Sequence, residues 1–300
     1  MKIGYPCINW SIDCSSGRTF RLKSYSEERL IKTVENNLEC LLSILKFNKE
    51  NNILFFRITS ELIPFASHPV CTFNWQEYFN PRFKEIGNFI KLNNIRISIH
   101  PDQFILINSK DYKVFENSVK ELEYHAEVLT LMKLDTTAKI QLHVGGVYGD
   151  KKKSIERFVN RYKKLGEKIK RRLVIENDER SYNLFDCLSI NKETGVPILF
   201  DVYHHYINNS GETLQDAFEI FSNTWKKETD GLPMVDYSKE NEKKGKPRHA
   251  DRIDIGHFKR FLKDTKPFDF DIMLEIKDKE KSALKAVKIA SSDSRFKRVI

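Results

Sequence analysis

Residue types that bind metals stand at the ends of successive apolar runs in this chain. Each run is rich in Ile, Leu, Val or Phe, and a His, Asp or Glu follows at or near its end. Imidazole nitrogens and carboxylate oxygens together suit divalent ions, because a carboxylate can bridge two ions and offset their charge. Such ions activate water and stabilise a leaving oxygen, as hydrolysis of phosphate esters requires. The residues concerned are His100, His143, Glu176, Asp201, His204, Asp236 and Glu275.

Two histidines in predicted loops, His68 and His249, extend this candidate set. Each candidate alone has a structural explanation, since a histidine can hydrogen-bond at a strand end and an acidic residue can cap the next helix. Six of the chain's eight histidines nevertheless fall on one predicted face, which favours a shared role as ligands. His204 and His205 are adjacent, and alternation along a strand sends only one of them inward. We choose His204.

The runs predict eight strands, separated by amphipathic segments of helical periodicity. Helical crossovers make the strands parallel, and eight of them can close into an α/β (β/α)8 TIM barrel with ligands at the carboxyl ends of the strands. An open doubly wound sheet is the alternative, but no Gly-rich phosphate turn follows the first run. The runs are 2–9, 54–59, 95–101, 139–145, 173–178, 197–205, 232–238 and 271–277. The helical segments are 26–51, 75–94, 111–134, 154–172, 181–195, 213–231, 254–266 and 277–290, with Ser26 and Ser154 as N-caps.

Composition indicates one domain, with residues 1–290 forming the barrel and 291–300 a loose tail. The formal net charge of +9 favours a polyanionic partner, nucleic acid above all. The five cysteines are odd in number and form no CxxC pair, which argues against a disulfide framework and fits a reducing cytoplasm. We find no leader and no apolar run near the ~18 residues that would span a bilayer, so no membrane is expected.

The run HPDQFILINS, 100–109, adds a feature that points to DNA. It begins with a candidate ligand and then offers Gln103 and Phe104 on a predicted loop. An amide beside an aromatic ring can enter a base stack, one group bonding to base edges and the other stacking. The alternative is that Phe104 packs beneath the loop.

With these residues in view, the chain resembles the ultraviolet damage endonuclease family from Met1 to about Lys288. The resemblance is carried by KIGYPCIN, FRITSELIPFASHP, SIHPDQFILINS, LHVGG, VIENDE, FDVYHH, RHADRID and MLEIKDKE. It implies a barrel related to that of endonuclease IV and two or three divalent ions, manganese ahead of zinc or magnesium. It also implies incision of duplex DNA immediately 5′ of cyclobutane pyrimidine dimers and 6-4 photoproducts, leaving a 3′-hydroxyl and a 5′-phosphate. Action on abasic sites would be in keeping.

The resemblance also carries residue roles. It implies that Gln103 and Phe104 probe the helix opposite the lesion, and that Tyr5 and Asn9 line the lesion pocket. Its metal ligands fall on His68, His100, His143, His204, His249, Glu176, Asp201 and Glu275. The chain departs from the pattern on the seventh strand, where Met234 and Asp236 replace a lysine and a metal-binding histidine. Asp236 can still ligate through oxygen, whereas Met234 cannot supply an amine.

The interpretation that follows is a metal-dependent hydrolase acting on double-stranded DNA as a monomer. Glu176 bridges two ions, one held also by His100 and His143 and the other by Asp201 and Glu275. His204, Asp236 and His249 would hold a third ion. The catalytic residues are then Glu176, His143 and Glu275.

Two rival interpretations remain open from the sequence. A metal-dependent sugar isomerase on the same barrel would also gather His, Glu and Asp at strand ends, since a fold does not fix a function. A DNA-lesion binder whose metal site has decayed at Met234 and Asp236 would bind without cutting. The basic charge and the Gln103–Phe104 loop argue against the first, and the retained ligands argue against the second.

Overall fold

Eight parallel strands, each hydrogen-bonded to its neighbours in sequence order, close into a single barrel. The computed structural model describes residues 1–241 and 247–298. Closure is direct, because the first strand pairs with both the second and the eighth. The predicted (β/α)8 barrel is therefore confirmed, and the open sheet is excluded. The strands are β1 (Ile3–Pro6), β2 (Phe55–Ile58), β3 (Arg96–Ile99), β4 (Lys139–His143), β5 (Leu173–Glu176), β6 (Ile198–Asp201), β7 (Met234–Tyr237) and β8 (Asp271–Leu274).

The helices cover the outside of the barrel and bury one face each against the strands. They are α1 (Glu27–Glu50), α2 (Trp75–Tyr78), α3 (Asn80–Leu92), α4 (Tyr112–Leu131), α5 (Lys151–Tyr162), α6 (Glu167–Lys170), α7 (Leu184–Thr194), α8 (Val202–Ile207), α9 (Leu214–Ser222), α10 (Lys227–Asp230), α11 (Ile255–Asp264) and α12 (Glu280–Ala290). A 3₁₀ turn lies at Leu22–Ser24. Among the described residues, none of these helices has the length and apolar character needed to cross a membrane.

Local capping explains where the helices begin. The Ser26 hydroxyl accepts a hydrogen bond from the Arg29 amide at 3.2 Å, as predicted for α1. The predicted cap at Ser154 was wrong, because the carboxylate of Asp150, four residues earlier in the chain, caps α5. Ser154 lies inside the helix and donates to the carbonyl of Val147.

The helix α8 was not predicted and changes the reason for one choice of ligand. His204 and His205 lie on α8, which begins directly after β6, and not on an extended strand. The alternation argument therefore does not apply to this pair. The helical twist of about 100° per residue separates the two rings instead.

A buried ion network closes the amino-terminal end of the barrel. The fully buried Lys139 ammonium donates to Asp230 at 2.6 Å, and Arg96 donates to Asp271 at 2.7 Å. Trp225 packs against both cations. Burial lowers the pKa of Lys139, and Asp230 opposes that shift. The charges here are paired across strands, so this end of the barrel serves stability.

Two sequence expectations about the periphery were wrong. Cys14 and Cys40 form a disulfide that ties the loop after β1 to α1, although the count and spacing of cysteines had argued against one. Residues 291–298, the described part of the segment after α12, are held in place, because the Arg295 guanidinium donates to the carbonyls of Leu262 and Phe268. Both contacts join segments distant in sequence, which spacing alone does not reveal.

We predict that Asp230→Asn destabilises the protein by about 3–5 kcal/mol, because it leaves the buried Lys139 ammonium without a counter-charge. The measurement is the free energy of unfolding from urea titration. Glu127→Gln is the control, since it removes the exposed ion pair with Lys168 and should cost less than about 1 kcal/mol. Equal losses in the two variants would contradict a structural role for the buried pair.

Candidate metal centre

Glu176 lies at the centre of the carboxyl end of the barrel, surrounded by three imidazoles. It ends β5 and is 1% exposed. Its Oε2 lies 3.5 Å from His100 Nε2 and 3.8 Å from His143 Nε2, while Oε1 lies 3.3 Å from His204 Nδ1. Strand register produces this arrangement, because His143 on β4 stands directly opposite Glu176. Three histidines far apart in sequence thus meet at one carboxylate.

A second cluster of carboxylates adjoins the first. Asp201 at the end of β6 stands opposite Asp236 on β7, and the two form a group with Glu275, which follows β8. The Asp201 carboxylate also accepts from the His204 amide at 2.6 Å, so it caps α8 and holds that histidine in place. His249 reaches the same group, with Nε2 3.5 Å from Glu275 Oε2.

Sequence reasoning missed two polar side chains inside the barrel, Arg57 on β2 and Gln141 on β4. Arg57 is 3% exposed and its Nη2 donates to both oxygens of Asp236, at 2.8 and 2.6 Å. Its Nη1 donates to Glu275. Gln141 Nε2 donates to Glu176 and to Asp236, both at 2.8 Å. The available signal was a charged or amide residue in the middle of an otherwise apolar strand.

Burial and mutual charge shift the pKa values of several groups in this cluster. Burial raises the pKa of Glu176, but the imidazoles of His143, His100 and His204 outweigh it and hold that pKa well below its ordinary value. Burial raises the pKa of Asp201 to about 6. Burial alone would lower the pKa of His204, yet Asp201 and Glu176 raise it to about 11. The buried carboxylates thus stabilise positively charged groups at this site.

The described residues fit divalent ions. Three groups each bring their ligand atoms within 4.8 Å of one another: His100, His143 and Glu176; Glu176, Asp201 and His204; Asp201, Asp236 and Glu275. Asp201 Oδ2 and His143 Nδ1 are buried polar atoms with no hydrogen-bond partner, and buried atoms of this kind are normally satisfied. A mixed imidazole and carboxylate donor set suits Mn²⁺ or Zn²⁺.

Two candidate ligands, His68 and His249, belong to none of these three groups. His249 contacts Glu275 at the edge of the cluster. His68 is exposed in the loop after β2, where its Nδ1 accepts from the Val70 amide at 3.0 Å. Its ring also contacts Phe65. His205, the neighbour of His204, packs against Phe200 and lies 3.5 Å from Glu212, outside the groups.

The loop after β3 presents Gln103 and Phe104 to solvent. Phe104 is 70% exposed, so the alternative in which it packs beneath the loop is excluded. The rest of the loop is firmly held, because the Asn108 carbonyl accepts from Arg157 at 2.6 Å and the Ile107 carbonyl accepts from Arg161 at 2.8 Å. An exposed aromatic on an anchored loop is preorganised for a partner.

Tyr5 and Asn9 are buried beside the same face. The Tyr5 hydroxyl accepts from Asn9 and donates to Asn48, each at 2.7 Å. Contact with a DNA base would require this region to open, and their role stays a prediction. Trp10, which follows Asn9, is 59% exposed on the loop after β1. Its amide donates to the fully buried Glu280, which fixes the position of the loop.

Lysine-rich segments follow two of the strands, at 151–153 after β4 and in the loop 239–251 after β7. Lys151, Lys152 and Lys153 form the exposed first turn of α5. Lys151 pairs with Asp186 at 2.8 Å, and Lys153 lies 3.4 Å from Asp150. Residues 242–246 of the basic loop 239–251 lie outside the described residues.

Comparison with known proteins identifies the family. The family described as "UV-endonuclease UvdE" matches residues 1–299. The chain belongs to this family. It is 42% identical over 289 residues to the UV DNA damage endonuclease of Clostridium perfringens, covering 96% of this chain and 70% of that one. The crystal structure of SacUVDE superposes with a TM-score of 0.92 at 44% identity, covering 97% of this chain and 98% of that one.

More distant structures share the fold alone. Endonuclease IV from Thermus thermophilus superposes with a TM-score of 0.59 at 14% identity, covering 84% of this chain and 93% of that one. D-psicose 3-epimerase from Clostridium cellulolyticum gives 0.55 at 14%, covering 85% and 92%. Family membership, and not this fold, identifies the chain as an endonuclease of UV damage repair, with DNA as its substrate.

We predict that His204→Gln weakens Mn²⁺ binding by at least about 100-fold. Loss of a residue that only supports a ligand costs about 10–100-fold, and His204 itself belongs to a ligand group. Isothermal titration calorimetry measures the affinity. His205→Gln is the matched control and should bind Mn²⁺ with the wild-type affinity. Equal weakening in both variants would argue that α8 acts only through its packing.

Proposed function

We propose that this endonuclease nicks duplex DNA immediately 5′ of cyclobutane pyrimidine dimers and 6-4 photoproducts, and acts on abasic sites as well. The products are a 3′-hydroxyl and a 5′-phosphate. The observation that carries the proposal is Glu176, buried among three imidazoles at the mouth of a barrel whose rim bears the exposed Phe104.

The incision depends on divalent ions, for which we favour Mn²⁺. Bound ions supply Lewis-acid stabilisation of the phosphate and activation of a water nucleophile near neutral pH. Glu176 would bridge two of them. His100 and His143 would complete one set of ligands, and Asp201 with Glu275 the other.

The chain's own residues would then recognise the lesion. A photodimer stacks and pairs badly, so the cost of extruding it and bending the duplex is lower than for intact DNA. Gln103 and Phe104 would fill the space left in the helix, one bonding to base edges and the other stacking. Trp10 would contact the lesion strand from the loop after β1. A monomer suffices for such a site, and a location in the cytoplasm stays a prediction.

The rival functions make different demands on the surface. A sugar pocket needs neither a net charge of +9 nor an aromatic side chain that is 70% exposed beside the site. A decayed lesion binder has no need of the unpartnered Asp201 Oδ2 and His143 Nδ1 inside the cluster.

The direct test uses a duplex that carries one pyrimidine dimer. The purified protein is incubated with it, with and without Mn²⁺, and the cut is mapped on a sequencing gel. We expect a metal-dependent nick immediately 5′ of the dimer. Binding without a cut in every divalent metal tried would support the decayed binder. If the protein neither binds nor cuts the duplex, that result contradicts the proposal.

Glu176→Gln should lower the incision rate by about 1,000-fold while the variant still binds the lesion. The substitution keeps the size of the side chain but removes the central negative charge, and ionic stabilisation of this kind contributes several kcal/mol. Single-turnover incision measures the rate. Glu212→Gln, a change to a carboxylate outside the metal groups, should incise at the wild-type rate. Wild-type incision by Glu176→Gln would refute the bridging role.

Combined Gln103→Ala and Phe104→Ala should reduce the preference for dimer-containing over intact duplex by about tenfold, because stacking on an aromatic contributes about 1–3 kcal/mol. Fluorescence anisotropy with both duplexes gives the ratio of affinities. Leu92→Ala is the control, since Leu92 is 86% exposed at the end of α3, at the opposite face of the barrel. An unchanged ratio in the double variant would rule out the probing role.

A further inference from the structure

Arg57 brings a permanent positive charge into the middle of the metal centre. The four carboxylates of the ligand groups, Glu176, Asp201, Asp236 and Glu275, carry a formal charge of −4. The guanidinium of Arg57 contacts two of them and is almost fully buried. It remains protonated, because a guanidinium does not lose its proton in a protein. Arg57 is part of the chain, so it supplies some of the positive charge that the buried carboxylates require without a bound ion.

The bonds made by Asp236 show where that charge acts. Its Oδ1 accepts from Arg57 at 2.8 Å, and its Oδ2 accepts from Arg57 at 2.6 Å and from Gln141 at 2.8 Å. Both oxygens of this fully buried side chain thus face N–H donors. Asp201 differs, because its Oδ2 is buried with no hydrogen-bond partner and is free to accept a cation.

Charge balance agrees with this division of roles. With Arg57 counted, the cluster carries a formal charge of −3. Two divalent ions would slightly overcompensate this negative charge, and the small positive excess would favour the incoming phosphate. A third divalent ion beside Asp236 would stand next to the guanidinium, in a low-dielectric interior where like charges repel strongly.

We propose that Arg57 takes the place of a third metal ion in this centre, with Asp236 as its counter-ion and not as a metal ligand. The centre then loads the two divalent ions proposed above, both of which would share Glu176. Arg57 and Gln141 are positioning residues, since Arg57 orients Glu275 and Gln141 orients Glu176. The proposal rests on the metal-dependent function proposed above.

The test is the number of Mn²⁺ ions bound per chain. It is measured by inductively coupled plasma mass spectrometry after equilibration with Mn²⁺ and removal of the excess. We expect two ions in the wild type and two in Asp236→Asn, because Asp236 gives no lone pair to a metal. Metal-free Asp236→Asn should melt at a lower temperature than metal-free wild type, since Arg57 loses its counter-ion, yet Mn²⁺ should raise the melting temperature of both by the same amount.

Variants of Arg57 test the exclusion of a third ion. Arg57→Met frees Asp236 and Glu275, so we expect its count to rise from two to three. Arg57→Lys keeps a positive charge and should stay at two. If Arg57→Met stays at two, or Arg57→Lys rises to three, the charge of Arg57 does not exclude an ion and the proposal fails. If Arg57→Met does not fold, the Asp236→Asn count decides.

Incision of the dimer-containing duplex by the same wild-type preparation separates this proposal from the function on which it rests. If the wild type binds three ions and incises the duplex, the proposed role of Arg57 is wrong while the proposed function stands. This conclusion holds whether or not Asp236→Asn loses an ion. A wild type that binds no Mn²⁺ and does not incise overturns the metal-dependent function, and the proposal with it.

Discussion

The mutual repulsion of four carboxylates packed at the end of one barrel is the constraint on which the rest of this site depends. Glu176, Asp201 and Asp236 are fully or almost fully buried, and each forms part of a group whose ligand atoms lie within 4.8 Å. Buried charges of one sign are tolerated only when cations neutralise them. The imidazoles and Arg57 supply part of this charge. The negative charge that remains suits the cluster to divalent ions.

The barrel meets this constraint through register. Parallel pairing sets His143 beside Glu176 and Asp201 beside Asp236, so side chains that repel or attract are fixed by backbone hydrogen bonds before any ion binds. The opposite end of the same strands holds the paired charges of Lys139 and Asp230. Stability and chemistry are thus separated along the barrel. Its amino-terminal end holds paired charges, and its carboxyl-terminal end holds an excess of negative charge that a bound cation would offset.

The sequence was sufficient to predict the barrel and most of the side chains that meet in the candidate metal centre, because periodicity and the residue at each strand end are local signals. It was insufficient for Arg57, whose role depends on Asp236 and Glu275, 179 and 218 residues away. In the run LFFRIT the arginine breaks an apolar strand, and that was the one sign of its inward position. The Cys14–Cys40 disulfide was missed for the same reason, since it depends on how the loop after β1 folds back onto α1.

The rim of the barrel differs from the metal centre. Among the described residues, the groups left without a partner at the rim are apolar and not charged. Phe104 and Trp10 are largely exposed on loops after β3 and β1, yet the backbone around each is fixed by buried groups, Asn108 and Glu280. Such loops do not shield their rings by collapsing. Exposure of these rings to water is therefore unfavourable in free energy, and a base stacked on them would remove that cost. A rigid loop also loses little entropy when it binds. Lesions that already unstack the duplex would offer such surfaces at the lowest cost, as the proposed probing role of Phe104 requires.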